Sequence, residues 1–147
     1  MIIVRKARKS DLKEIIKLHR ELGMHEKEFD ELVNPNHLCE PVKKVIGRNV
    51  VVFVAEENNK IIGFASAEIK KKGSLVERIG HYNDCYVKKE YRRRGIAKKL
   101  TIEILRWLKS NGVKYVELFV SSKNRIGIKV WKSFGFNEIG KFMRKKL

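Results

Sequence analysis

The chain has 147 residues, 43% of them hydrophobic, so we expect a single domain with a substantial core over residues 1–147. It has no apolar run long enough to span a membrane and no mark of a secretory signal, which predicts a cytoplasmic protein. Two isolated cysteines are too few for a disulfide framework or a metal site, so neither is expected. The net charge of +17, from 34 basic and 17 acidic residues, suits a polyanionic ligand, an acidic substrate or nucleic acid.

The first part of the chain predicts a strand, two helices and an antiparallel meander. Alternating apolar residues at 2–7 indicate a strand, and Ser10 is expected to cap a helix whose apolar positions from 12 to 22 have helical spacing. Pro41 is expected to open another helix. The meander then follows, with strands at 50–55, 61–69 and 75–87 and turns at 57–60 and 70–74.

The second part predicts two more helices, each followed by a strand. Residues 95–111 give the clearest helix, because apolar side chains recur every four residues and Asn111-Gly112 closes it. A strand at 113–120, a helix at 124–134 and a last strand at 136–143 follow. A helix between two strands allows those strands to be parallel. The sequence therefore predicts an α/β (α+β) fold with a mixed, mostly antiparallel sheet flanked by helices.

The junction between the third meander strand and the long helix has the composition of an anion site. Its residues are Arg92, Arg93, Arg94, Gly95, Ile96 and Ala97. The first N–H groups of a helix have no intrahelical partner, and the helix dipole places a charge of about +0.5 there. Gly95 lets a bulky anion approach the backbone because it has no Cβ. The junction, as we call residues 92–97, therefore predicts a site for a phosphate or pyrophosphate.

Two segments resemble those of the GNAT acetyltransferase superfamily. Arg92, Gly95 and Ala97 fit the cofactor-loop pattern Arg/Gln-x-x-Gly-x-Gly/Ala. Residues 124–136 resemble a second pattern of the superfamily, Asn-x-x-Ala-x-x-x-Tyr-x-x-x-Gly-Phe. The predicted topology extends the resemblance over nearly the whole chain. It implies one domain with the GNAT-like acyl-CoA N-acyltransferase fold.

The resemblance also implies the reaction and its participants. The activity would be transfer of an acetyl group from acetyl-CoA to a primary amine of a protein N-terminus, a lysine, a polyamine or another small amine. The junction would hold the pyrophosphate, the backbone at the end of the third meander strand would pair with the pantetheine arm, and a residue of the second pattern would contact that arm. Outside the junction, the implied cofactor-binding residues are Cys85, Tyr86, Val87, Asn124 and Trp131.

The general base has several candidates. An amine attacks only when neutral, and presenting a lysine-like amine unprotonated at pH 7 costs about 4–5 kcal/mol. His81 is the first choice as the base, because its strand parity matches that of Val87. Asp84 is the second, although its parity is opposite unless a bulge intervenes. Glu117 on the following strand is the third, and Asn83 has the parity to orient a water.

The general acid is missing from the second pattern. Gly127 and Trp131 stand where alanine and tyrosine are usual. An indole N–H is not acidic enough to protonate a leaving thiolate, so Trp131 is expected only to pack against the cofactor arm. A thiolate with a pKa near 8.5 leaves without much help. Tyr82, Tyr86 and water are the alternatives.

Two other functions stay open on the sequence alone. The net charge of +17 exceeds what coenzyme A needs, which leaves a basic nucleic-acid- or ribosome-associated module, although the lysines are spread along the chain. The missing tyrosine leaves a non-catalytic CoA-binding regulator. The sequence also leaves a homodimer open. For an enzyme, the acidic residues from Glu26 to Glu31 could attract a cationic amine acceptor, whether a small molecule or a protein.

Overall fold

The structure, a computed structural model, describes residues 1–72 and 76–147. Within those residues the chain forms one sheet, with its strands arranged in chain order. The strands are β1 Ile3–Lys6, β2 Val50–Glu57, β3 Lys60–Lys72, β4 Val76–Val87 and β5 Val116–Glu117. Strands β1 to β4 pair antiparallel, and β5 lies parallel to β4 at the edge. The expected mixed, mostly antiparallel sheet is confirmed.

Helices cover both faces of the sheet. Those in the described residues are α1 Leu12–Glu26, α2 Glu40–Lys44, α3 Ile96–Ser110 and α4 Arg125–Ser133. Helices α1 and α2 pack on one face, called the α1 face, and α3 packs on the other, called the α3 face. No helix in the described part of the chain is long and apolar enough to cross a bilayer.

The continuous apolar run of β2 is explained by burial on both of its faces. Val51 and Phe53 pack in the core under α3, whereas Val52 and Val54 pack in the core under α1. A strand that is covered on one face only would alternate apolar and polar residues, and β2 does not. The strand therefore places a hydrophobic layer under each set of helices.

The entry into α1 differs from the expected cap at Ser10. The chain enters the helix through a 3-10 turn, Lys9–Asp11, and the Asp11 carboxylate accepts the backbone N–H of Arg8 at 2.7 Å. Arg5 of β1 binds the same carboxylate, and this hydrogen bond lowers the pKa of Asp11. Ser10 is thus not the cap. The carboxylate that caps the 3-10 turn belongs to Asp11, and Arg5 of β1 holds it in place. Residue preferences at helix ends do not predict this contact.

The two predicted hairpin turns have different outcomes. The first is confirmed: Asn58 and Asn59 both have left-handed backbones, with φ of 51° and 62°, as a two-residue hairpin requires. The second was expected at 70–74, but β3 continues to Lys72. The rest of that predicted turn, residues 73 and 74, and the predicted first residue of the next strand, residue 75, lie outside the described residues.

The end of the chain contains less strand than predicted. The strand expected at 113–120 shrinks to the two residues of β5, and residues 136–143, although described, form no strand. A strand forms only where a neighbouring backbone can pair with it. Because β5 has only two residues, it offers the C-terminal tail, residues 136–147, too short an edge for pairing. The tail instead runs back across the molecule, where Arg144 forms a bidentate pair with Asp30 at 2.8 and 3.0 Å.

Candidate active site

The junction has the geometry of an anion cradle. Gly95 precedes α3 with a left-handed backbone, φ 73° and ψ 14°, and no side chain caps the N-terminus of the helix. A Cβ added to Gly95 would meet no atom within 4 Å, so the space above the backbone is open. The first N–H groups of α3 face this space without intrahelical partners. The junction therefore fits the pyrophosphate of coenzyme A, which the first turn of α3 would hold.

The three arginines of the junction have separate surroundings. Arg94 forms a bidentate pair with Glu57 at 2.7 and 3.1 Å, and Arg92 donates from Nε to the Val87 carbonyl at 2.9 Å. Arg93 is exposed, has a left-handed backbone with φ 63°, and has no side-chain partner among the described residues. Arg92 and Arg94 thus hold the loop in shape, and Arg93 keeps its charge available to a ligand.

Within the described residues, the end of β4 lacks a neighbouring strand on the side next to the junction, where Arg92 Nε occupies the Val87 carbonyl and the Val87 N–H has no strand partner. Strand β5 pairs with β4 through only two residues, and in the described part of the chain nothing continues that ladder. The Lys88 N–H donates to the Ile62 carbonyl at 2.9 Å, which turns the backbone groups of Val87 away from β3. Strand alternation gives Cys85 the same direction, whereas the backbone of Tyr86 faces β3. We call this side of Cys85 and Val87 the open edge.

Of the three residues predicted to pair with a pantetheine arm, two therefore present their backbone to the open edge and one does not. The Tyr86 side chain instead reaches the α1 face, where its hydroxyl donates to the Glu21 carboxylate at 3.0 Å. Burial raises the pKa of the Cys85 thiol to about 11, so Cys85 stays protonated at neutral pH and is a poor nucleophile.

A β-bulge lies in β4 just before the open edge. Ser66 and Ala67 are consecutive in β3, yet they pair with Asp84 and Tyr82, so Asn83 is an extra residue in β4. The amide of Asn83 donates to the Glu68 carboxylate at 2.9 Å rather than facing the open edge. The bulge changes which face each earlier residue of β4 presents.

The bulge brings His81 and Asp84 to the same face. Gly80 faces α3, since an added Cβ would lie 2.8 Å from a leucine of that helix, and Tyr82 packs in the α3 core. His81 lies between them and faces α1. The predicted match between His81 and Val87 is therefore wrong, because the extra residue reverses the parity. Burial lowers the pKa of His81, and the nearby Lys70 lowers it further.

Asp84 is held by side chains from three separate parts of the chain. Its Oδ2 accepts the Ser66 hydroxyl at 2.7 Å and the Cys39 thiol at 2.9 Å. His19 Nε2 lies 3.7 Å from Oδ1. Burial raises the pKa of the Cys39 thiol, and the charge of Asp84 raises it further, so Cys39 remains a donor to the carboxylate. These contacts orient Asp84 and leave it as an acceptor.

Asp84 lines a pocket of about 320 Å³ on the α1 face, between α1 and residues 32–39. The loop lies close to α1 because Gly23 has no side chain: an added Cβ would be 2.7 Å from Pro35 Cα. Glu26 stands at the rim, and desolvation there, with the charge of Asp84, raises its pKa to about 7. The pocket thus offers two carboxylates to a cationic guest. His81 does not line it.

The second GNAT-like segment forms the start of α4 and its contact with the core. Asn124 accepts the Gly127 N–H at 2.8 Å through its side chain, so it caps the helix. Trp131 packs edge-on against Tyr82, with ring centroids 5.1 Å apart. The Tyr82 hydroxyl is buried and paired with the Thr101 hydroxyl at 2.9 Å. Trp131 therefore contributes to the core, and the Tyr82 hydroxyl already has a buried partner.

Sequence reasoning missed three residues around Asp84: His19, Cys39 and Ser66. They belong to α1, the start of α2 and β3, and no motif links them. Cys39 is one of the two cysteines that were expected to be isolated. Only the folded chain brings their polar atoms to one carboxylate.

Comparison with known proteins identifies the family. Residues 12–136 match the model of the acetyltransferase (GNAT) family. An aminoglycoside N(6′)-acetyltransferase type 1 of Salmonella enteritidis is 26% identical over 143 residues, covering 92% of this chain and 99% of that protein. An uncharacterized N-acetyltransferase of Methanocaldococcus jannaschii is 30% identical over 87 residues, which are 58% of this chain but only 38% of that protein's length.

Solved structures show the same fold. Aminoglycoside N-acetyltransferase AAC(6′)-Iy in complex with CoA superposes with a TM-score of 0.78 at 22% identity, covering 100% of this chain and 95% of that one. A tetramutant of the BH1408 protein from Bacillus halodurans gives a TM-score of 0.84 at 23% identity, covering 99% of both chains. The chain therefore belongs to the acetyltransferase (GNAT) family of N-acetyltransferases, which take their acetyl group from acetyl-CoA.

Proposed function

We propose that this protein acetylates a primary amine of a small cationic acceptor, and that Asp84 accepts the proton which the amine loses. The observation that carries the proposal is the position of the Asp84 carboxylate. It lies in the pocket on the α1 face, one residue before the open edge formed by Cys85 and Val87. An acceptor in the pocket and a thioester along the open edge would meet beside this carboxylate.

Aminoglycosides are the acceptor class to test first. Two relatives that match most of this chain bear the name aminoglycoside N(6′)-acetyltransferase, at 26% and 28% identity. The pocket suits such a molecule, because Asp84 supplies negative charge to a polyamine in an otherwise basic protein, and Glu26 adds a second charge above its pKa of about 7. A cytoplasmic location, where acetyl-CoA is available, fits this activity.

The residues of the pocket have distinct parts in this mechanism. Asp84 attracts the ammonium group by its charge, and the ammonium first loses one proton to solvent. The neutral amine then attacks the acyl carbon, and Asp84 takes a second proton from the nitrogen, which becomes acidic as the C–N bond forms and the C–S bond breaks. The hydrogen bonds from Ser66 and Cys39 keep the carboxylate in one orientation. The Val87 N–H at the open edge is available to polarise the acyl carbonyl. Acetyl-CoA supplies the activated acyl group, and its thiolate, with a pKa near 8.5, leaves without a strong acid.

The experiment is a steady-state assay of acetyl-CoA consumption with an aminoglycoside, spermidine and a lysine-containing peptide as acceptors. Asp84→Asn keeps the shape of the side chain and the hydrogen-bond acceptor oxygen but cannot take a proton. We expect kcat/KM to fall about 10²- to 10⁴-fold. Calorimetry with acetyl-CoA should give an unchanged affinity, because Asp84 lies outside the junction.

His81→Asn separates the two predicted bases. His81 shares the α1 face with Asp84 but stands outside the pocket, so we expect less than about a threefold change in kcat/KM. A loss in His81→Asn as large as the loss in Asp84→Asn would refute the assignment of the base. Turnover of none of the three acceptors would reject the proposed acceptor class.

A further inference from the structure

We propose that His19, Cys39 and Asp84 form a three-ligand site for Zn²⁺, and that binding of the ion blocks acetyl transfer. The site is a property of these three side chains. The inhibition rests on the proposed function, because an Asp84 carboxylate that binds Zn²⁺ cannot act as the general base.

The three donor groups are already close enough to share one ion. Their ligand atoms all lie within 4.8 Å of one another, with Cys39 Sγ 2.9 Å from Asp84 Oδ2 and His19 Nε2 3.7 Å from Asp84 Oδ1. Zinc bonds of about 2.0–2.3 Å in a tetrahedral arrangement place neighbouring ligand atoms about 3.3–3.6 Å apart. Side-chain shifts of about 1 Å or less would therefore complete the geometry.

His19 gives independent support, because it is a buried histidine without a hydrogen bond. Only 10% of its side chain is exposed. Its Nδ1 is buried without a partner among the described residues, and its Nε2 lies too far from Asp84 for a hydrogen bond. A buried polar atom that lacks a partner costs free energy, and buried side chains with this property are rare. The imidazole therefore makes no hydrogen bond within the described residues that binding of a metal ion through Nε2 would have to break.

The chemistry of the set favours zinc over calcium or magnesium. Thiolate, imidazole and carboxylate are all zinc ligands, whereas calcium and magnesium prefer oxygen alone. On binding, the Cys39 thiol loses its proton to solvent, and the thiolate and the Asp84 carboxylate together balance the two charges of the ion. Ser66 keeps its hydrogen bond to Asp84 and orients it from outside the coordination shell.

Three protein ligands leave a fourth position, and the pocket opens onto it. All three residues line the pocket of about 320 Å³, so an ion can enter from solvent. A water molecule on the pocket side would be its fourth ligand. Such an incomplete set is typical of accessible zinc sites rather than of closed structural ones. Binding should therefore be reversible, and a chelator should remove the ion.

The direct test titrates the whole protein with Co²⁺, the spectroscopic substitute for zinc, in a reductant that does not bind metals. We expect one equivalent to bind with a thiolate-to-cobalt charge-transfer band and visible bands of four-coordinate cobalt, and Zn²⁺ to displace it. Cys39→Ser should abolish the charge-transfer band, and His19→Gln should weaken binding at least about tenfold. The matched control is Cys85→Ser, which alters the other cysteine and should keep the spectrum.

Absence of the band in the wild-type protein, or an equal spectrum in Cys39→Ser, would overturn the site. The second measurement is inhibition of acetyl transfer by Zn²⁺, which should follow the same binding curve, be reversed by EDTA and be weaker in His19→Gln. Metal binding without inhibition would overturn the block. If no amine is acetylated at all, the proposed function fails and the block with it, while the cobalt spectrum still decides the site.

Discussion

Replacing Gly95 by alanine separates the backbone conformation of the junction from its role in binding. Gly95 has φ 73°, which an alanine adopts at a cost of about 1–2 kcal/mol. No atom lies within 4 Å of the added Cβ, so the folded protein has room for the methyl group. We therefore expect the variant to fold, with a melting temperature lower by about 2–8 °C.

The same methyl group would stand where the pyrophosphate must approach the first turn of α3. Losing one charge-assisted backbone hydrogen bond costs about 1.5–3 kcal/mol, which is about a 10- to 150-fold weaker acetyl-CoA affinity. Calorimetry with acetyl-CoA measures this loss. Gly112→Ala is the matched control, because Gly112 has φ 76° and lies beyond the far end of α3, about 25 Å away along the helix.

Both variants should lose similar stability, and only Gly95→Ala should lose affinity. Equal acetyl-CoA affinity in the two variants would show that the junction does not hold the diphosphate.

Three further predictions concern the pocket, the core and α4. Glu26 has a pKa of about 7, so it gains its negative charge as the pH rises through 7. The KM for a cationic acceptor should therefore fall about two- to fivefold as the pH rises through 7. Glu26→Gln should flatten this fall, and a pH profile of KM that is the same in Glu26→Gln as in the wild-type protein would contradict the prediction. Thr101→Val removes the hydroxyl that pairs with the buried Tyr82 hydroxyl at 2.9 Å and should cost about 1 kcal/mol in urea unfolding, because the Cys85 side chain remains as a second hydrogen-bond partner. An unchanged unfolding free energy would contradict this prediction. Asn124→Ala removes the cap of α4 and should lower the free energy of unfolding in urea by about 1 kcal/mol. An unchanged free energy of unfolding would show that the cap contributes nothing.

The parts of the fold that depend on local sequence could be predicted. Helix α3 combines a four-residue apolar repeat with a glycine at each end, and the hairpin at Asn58 and Asn59 has the residues that its left-handed backbone requires. The junction is local in the same sense, because the arginines, Gly95 and the first turn of α3 are consecutive. The pairing of the cofactor arm with the end of β4 was implied by the GNAT resemblance rather than by the local sequence.

The catalytic geometry could not be predicted, because it depends on contacts between distant residues and on one register shift. No residue of β4 marks the bulge at Asn83 in the sequence, yet the bulge moves His81 to the face that Asp84 occupies. The partners of Asp84 come from His19 and Cys39, which lie 65 and 45 positions earlier in the chain. Strand propensity at 136–143 likewise could not show that the sheet has no edge there to pair with.

The most direct measurement of the whole account is a crystal structure of the protein with coenzyme A. We predict that the diphosphate lies on the backbone N–H groups at Gly95–Ala97, that the arm follows the open edge at Cys85 and Val87, and that its sulfur ends on the side nearest Asp84. A diphosphate bound at any other part of the surface, or a sulfur that ends away from the Asp84 pocket, would contradict the account.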